Sequence, residues 1–211
     1  MLLNYWSEFL TIAVAHALAV ASPGPDFAVV LKQSLVHGRR TAVWTSIGIG
    51  AGISIHIAYS LLGIGLLLKG SVTAFTVLKY AGATYLAWLG VQSLRSRPRG
   101  KEAGAEIPAK CPAKRAAFTT GFLTNALNPK AAMFFLALFP VAVSQDTPKL
   151  IQLSYGLWII LYTMAWFCFV SFVFARPEVR DRFMRCGHWI DRALGVVFLG
   201  FAASLAWTTL R

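Results

Sequence analysis

The sequence predicts an all-α integral membrane protein: six transmembrane helices arranged as two inverted three-helix repeats, with helices 1 and 4 broken. Three observations predict it. Residues 41–68 and 150–175 each run without a formal charge, and at 1.5 Å per residue either can cross about 30 Å of hydrocarbon. Only 13% of the 211 residues are Asp, Glu, Lys or Arg and mean hydropathy is +0.61, whereas soluble domains carry about 25% charge. Two apolar runs are interrupted by proline at matching places, around Pro23–Pro25 and at Pro129. Together these exclude a soluble enzyme, a disordered tail and a disulfide-stapled secreted domain.

Apolar runs place the spans at 9–31, 41–68, 71–94, 117–143, 150–175 and 189–210. Each should be helical, because lipid offers no partner for irregular backbone. The N-terminus has no basic residue ahead of its first apolar run and no small-residue cleavage site, so it is expected to be a first span rather than a removable signal. Residues 1–94 form the first repeat and 117–211 the second. Between them, 95–116 is rich in Pro, Gly, Ala and charge and serves as a cytoplasmic linker.

Lys and Arg set the orientation. Lys32, Arg39 and Arg40 lie in the first loop. Arg95, Arg97, Arg99, Lys101, Lys110, Lys114 and Arg115 lie in the linker, and Arg176, Arg180, Arg182 and Arg185 in the fifth loop. Opposite these fourteen stand three, Lys69, Lys149 and Arg211. By the positive-inside rule the odd loops are cytoplasmic and both termini face outward. The net charge of +12 is thereby explained by topology, without a nucleic-acid partner.

The breaks carry the functional signal. Span 1 contains Ser22-Pro23-Gly24-Pro25-Asp26-Phe27, and span 4 contains Asn125-Ala126-Leu127-Asn128-Pro129-Lys130. Proline removes an amide donor and crowds the carbonyl four residues back. Ser22 and Asn128 are suited to cap new half-helices, with Pro25 and Pro129 in the first helical position. Each half-helix would then point its positive end into mid-membrane, where a substrate carboxylate is stabilised. Lys130 needs a counter-charge there, and Asp26 occupies the pseudo-symmetric position. The third spans share a Leu-Gly pair, Leu89-Gly90 and Leu199-Gly200. The prolines are offset by 104 residues and the glycines by 110, so the repeat includes a small insertion. Kinks are the bland reading of one such break. Two in matching spans, each followed by an ionisable residue, point to a transporter's substrate site.

These residues resemble the LysE/RhtB family of bacterial amino-acid exporters, and the likeness in length, span number and basic linker covers essentially the whole chain. The resemblance implies a secondary transporter in the bacterial inner membrane that exports amino acids by proton antiport. Lysine and arginine exporters of the family carry an Asp shortly after the span-4 Asn-Pro. Here Lys130 is followed by Ala131-Ala132-Met133-Phe134-Phe135, with no acid before Asp146. SPGPDF looks like the threonine and homoserine exporters, which favours a small neutral amino acid. The rivals are a basic amino acid or a metal cation on the same scaffold.

Pathway residues on this reading are Ser22, Pro23, Gly24, Pro25, Asp26, Asn125, Asn128, Pro129, Lys130 and Asp191. Asp191 either lines the pathway or caps a helix at the cytoplasmic boundary. Lys79 is expected to snorkel to the interface. His16 and His56 are each either a proton relay or a ring bonded to a neighbouring helix. Gly48 and Gly52 form a GxxxG pair that admits another helix closely. Small-residue faces leave room for a homodimer. Cys111, Cys168 and Cys186 lack a CxxC spacing, and no paired carboxylates or HExxH motif appear. Neither a cofactor, a metal site nor an enzyme is expected.

Overall fold

A computed structural model describes residues 2–70, 72–97, 111–144, 146–173 and 176–207. The linker residues Arg99, Lys101 and Lys110, the terminal Arg211, and the side chains of Lys69, Lys79, Arg180, Arg182 and Arg185 lie outside what is described. Among the described residues every element is a helix: α1 (Leu2–Ala21), α2 (Pro25–His37), α3 (Arg39–Gly70), α4 (Val72–Leu94), α5 (Lys114–Ala126), α6 (Pro129–Ala142), α7 (Lys149–Val173) and α8 (Pro177–Trp207). The order is a bent pair followed by two long helices, twice over.

Arg39–Leu62 of α3 and the whole of α7 are each long and apolar enough to cross a membrane. The α1/α2 and α5/α6 pairs meet that criterion jointly and bend by 51° and 54° at their breaks. On α7, Leu150, Leu153, Leu157 and Leu161 are all exposed. Their spacing forms one helical stripe, which suits a surface turned to acyl chains. The turn from α2 to α3 rests on Gly38, whose φ of 82° disfavours any other residue.

Helix α6 runs through the middle of the core, with Phe134, Phe135, Leu138 and Phe139 buried against Ile12 of α1, Ile53 of α3, Ile159 of α7 and Phe198 of α8. Glycines set two close seams. A Cβ on Gly48 would collide with the Phe118 carbonyl, and one on Gly121 with the Thr45 carbonyl. One on Gly52 would lie 2.7 Å from the Phe122 carbonyl oxygen. The GxxxG pair thus brings α3 onto α5. The second seam joins Gly90 of α4 to Gly195 of α8, where a Cβ on Gly195 would lie 2.8 Å from the Gly90 oxygen.

Two expectations change. The partner of Gly90 in space is Gly195, whereas Gly200 faces open space, so the matched Leu-Gly pairs have no common packing role. Helix α8 begins at Pro177 rather than near residue 189. The arginine-bearing stretch looked like a loop because it is polar, but polarity does not bar a helix outside hydrocarbon.

Candidate functional site

The first break follows from three residues. Ser22 still donates its amide to Leu18 O at 3.0 Å, but Pro23 has no amide to continue the ladder. Gly24, extended at φ −151° and ψ −168°, then caps α2 with Pro25 behind it, and glycine offers no side chain of its own to accept from the helix amides. Gly24 therefore takes the capping position expected of Ser22, which lies two residues too early. At the second break Asn128 caps α6 as expected: its Oδ1 accepts from the amides of Lys130 at 3.0 Å and Ala131 at 3.4 Å, with Pro129 in the first helical position. The two half-helix ends are thus unequal. That of α6 is answered by its own asparagine, and that of α2 has no side-chain cap.

The breaks reach across to one another. Asp26 Oδ2 accepts from Asn125 Nδ2 at 3.0 Å and Asn128 Nδ2 at 3.1 Å. In the opposite sense, Lys130 Nζ donates to Ser22 Oγ at 2.8 Å. Ser22 Oγ in turn donates to Asp191 Oδ1 at 2.5 Å. Asp191 Oδ2 accepts from Ser96 Oγ at 2.8 Å, and Arg192 donates to the Ser96 carbonyl at 3.3 Å. Asp191 is buried inside α8, fourteen residues past its start, so it is not a helix cap. A continuous polar chain therefore joins Lys130 at the second break, through the first, to the residues just past the end of α4.

His56 is spoken for at both ring nitrogens. Nε2 lies 2.8 Å from the Asn125 carbonyl and Nδ1 lies 2.7 Å from the Tyr59 hydroxyl. A carbonyl only accepts, so Nε2 carries the hydrogen and Nδ1 receives the Tyr59 proton. The ring stacks on Phe135 with 4° between planes. It holds Asn125 in place. His16 Nε2 lies 2.9 Å from Thr163 Oγ1.

The two breaks enclose a cavity of about 50 Å³, room for a few waters, and Asp191, Ser96 and His56 lie outside its lining. Ser22, Gly24, Pro25, Asp26, Asn125, Asn128 and Lys130 line it. Pro23 and Pro129 are not among its lining residues; they shape the breaks. Phe134, Phe135, Phe167 and Phe198 form its apolar side. Three buried polar atoms among these walls have no partner: Asp26 Oδ1, Asn125 Oδ1 and His16 Nδ1. Among the described residues no three His, Cys, Asp or Glu side chains gather as a metal site would require. Sequence reasoning did not find Ser96 or Thr163. Both are ordinary hydroxyls whose partners lie 95 and 147 positions away, and no local pattern announces that.

The family model for a LysE type translocator matches residues 17–209. A threonine efflux protein of Escherichia coli (strain K12) is 34% identical over 199 residues, covering 93% of this chain and 96% of the relative. A threonine efflux protein of Salmonella typhi is 33% identical over 198 residues, with the same coverage. A homoserine/homoserine lactone efflux protein of Salmonella typhimurium is 34% identical over 152 residues, covering 72% of this chain and 71% of the relative. No solved structure matches the chain.

Proposed function

The chain belongs to the LysE type translocator family, and from that premise we propose that it exports small neutral amino acids of the threonine and homoserine type in exchange for protons. The observation that carries the reading is the pair of unpartnered acceptors, Asp26 Oδ1 and Asn125 Oδ1, in the cavity wall. Buried acceptors without donors are costly, and an α-ammonium supplies the missing N–H groups. The α-carboxylate turns to the N-terminus of α2, which lacks a side-chain cap, and to the Lys130 ammonium.

Protonation of Asp26 weakens its hold on the ammonium, so proton entry from outside releases the amino acid there. Asp26 then gives the proton up to water when the cavity opens toward the cytoplasm. The bends at residues 22–24 and 127–128 are the hinges. In this reading each bent pair is one span, α4 and α8 complete six, and residues 1–94 and 117–211 are inverted repeats on either side of the linker. Both termini then face away from the cytoplasm across the inner membrane, and the small-residue faces leave room for a homodimer.

The test is net uptake into proteoliposomes of purified protein under an imposed pH gradient, with a panel of labelled amino acids and an internal pH dye. The expected result is uptake of threonine or homoserine with a linked pH change. Flat traces across the panel overturn the substrate assignment, and uptake with no pH change overturns the antiport.

A further inference from the structure

The cavity wall contains a polar group that neither the breaks nor the proposed ammonium site uses. His16 lies six residues before Ser22 on α1, about 9 Å along the helix. It is 2% exposed and lies among aromatic rings: Phe134, Phe135, Trp158 and Tyr162, at centroid distances of 5.8 to 6.4 Å. Nε2 is engaged by Thr163 Oγ1 at 2.9 Å. Nδ1 is buried, belongs to a residue lining the cavity, and has no partner.

We propose that His16, oriented by Thr163, forms a subsite that binds the hydroxyl of the transported amino acid's side chain. The proposal rests on the export reading and deepens it. With the α-ammonium at Asp26 and Asn125, the side chain extends along the cavity toward the phenylalanines. Among the lining residues outside the two breaks, His16 and Thr163 are the polar pair.

The choice of ligand group follows from the imidazole. A neutral ring has one donor and one acceptor nitrogen, and the Thr163 hydroxyl can serve either at Nε2. Nδ1 is therefore a donor in one tautomer and an acceptor in the other. A hydroxyl donates and accepts, so it satisfies Nδ1 in both. A carboxylate or an ammonium satisfies it in only one, and a methyl group in neither. A substrate with a methyl in place of the hydroxyl leaves the buried nitrogen without a partner, while the phenylalanines accept either group equally.

The experiment compares matched pairs in the same pH-gradient uptake assay: threonine against valine, and homoserine against norvaline, in which a methyl replaces the hydroxyl. The wild-type protein should prefer the hydroxylated member by about 10-fold or more in kcat/KM. His16→Phe should bring that ratio close to one, and Thr163→Val should reduce it. His16→Gln, which keeps a donor and an acceptor, should retain part of it.

If His16→Phe does not fold, Thr163→Val and His16→Gln read the same ratio. An unchanged ratio in the variants overturns the subsite, as does a wild-type protein that moves valine as fast as threonine; in both cases the export reading stands. Loss of the linked pH change with the ratio intact makes His16 a proton relay and also overturns it. A wild-type protein that moves no amino acid in the panel overturns the export reading, and the subsite with it.

Discussion

Asn128 donates its side-chain amide to Asp26 across 3.1 Å, joining residues 102 positions apart at the two interruptions of the membrane helices. The same amide group accepts from the Lys130 and Ala131 backbone. One side chain therefore starts α6 and orients the carboxylate at the start of α2.

These two duties can be separated by substitution. Serine caps a helix about as well as asparagine but is too short to reach Asp26. Asn128→Ser should melt within a few degrees of the wild-type protein in detergent and lose at least tenfold in transport rate. Asn128→Ala should lose both, with about 1 kcal/mol of stability from the cap alone. Wild-type transport by the serine variant would remove Asn128 from the site.

Asp26→Asn tests the coupling. The amide keeps the shape of the carboxylate but cannot carry a proton at neutral pH. Exchange of labelled for unlabelled amino acid should survive with a raised KM, while accumulation driven by a pH gradient should fall to background. Accumulation at the wild-type rate would assign the proton to another group.

Ser22 stands between Lys130 and Asp191, receiving from one at 2.8 Å and giving to the other at 2.5 Å. Removing either charge takes a hydrogen-bond partner from the serine and leaves the other charge, Asp191 buried or Lys130 half-buried, with less to balance it. Lys130→Gln and Asp191→Asn should each lower the melting temperature, and the double variant should lose clearly less than the sum. Strict additivity would show that the serine does not couple them.

The glycine seams make a sharper prediction. Gly48→Ala and Gly121→Ala place a methyl against a backbone carbonyl that cannot rotate aside, and overpacking of this kind costs at least about 1–3 kcal/mol. Gly200→Ala meets nothing within 4 Å and should be indistinguishable from the wild-type protein. Monodispersity after solubilisation and the melting curve separate the first two from the third.

The parts of this architecture that were legible in advance are those with a local cause. Proline and glycine interrupt a helix wherever they stand, so both breaks could be placed from the chain alone. Asp26 and Lys130 stood out because charge is rare in apolar spans. What could not be seen was the use made of each side chain. Ser22 looked like a cap, but Pro23 follows it and its hydroxyl bridges a lysine and an aspartate. Asp191 looked like a residue at a helix start because the polar turns before it resemble a loop. The pairing of His16 with Thr163 depends on how α1 lies against α7, which neither segment encodes by itself. The GxxxG pair announced a close approach without naming its partner.

The seam between α3 and α5 separates covalent order from mechanical order. These helices come from opposite sides of the linker, yet the distance between them is set by peptide atoms in contact rather than by side chains that can yield. The close packing of α3 on α5 therefore joins parts of both halves directly. The connection through residues 98–110 is then unnecessary for assembly once the seam has formed. A chain severed within it should reassemble when its two fragments are produced together in one membrane.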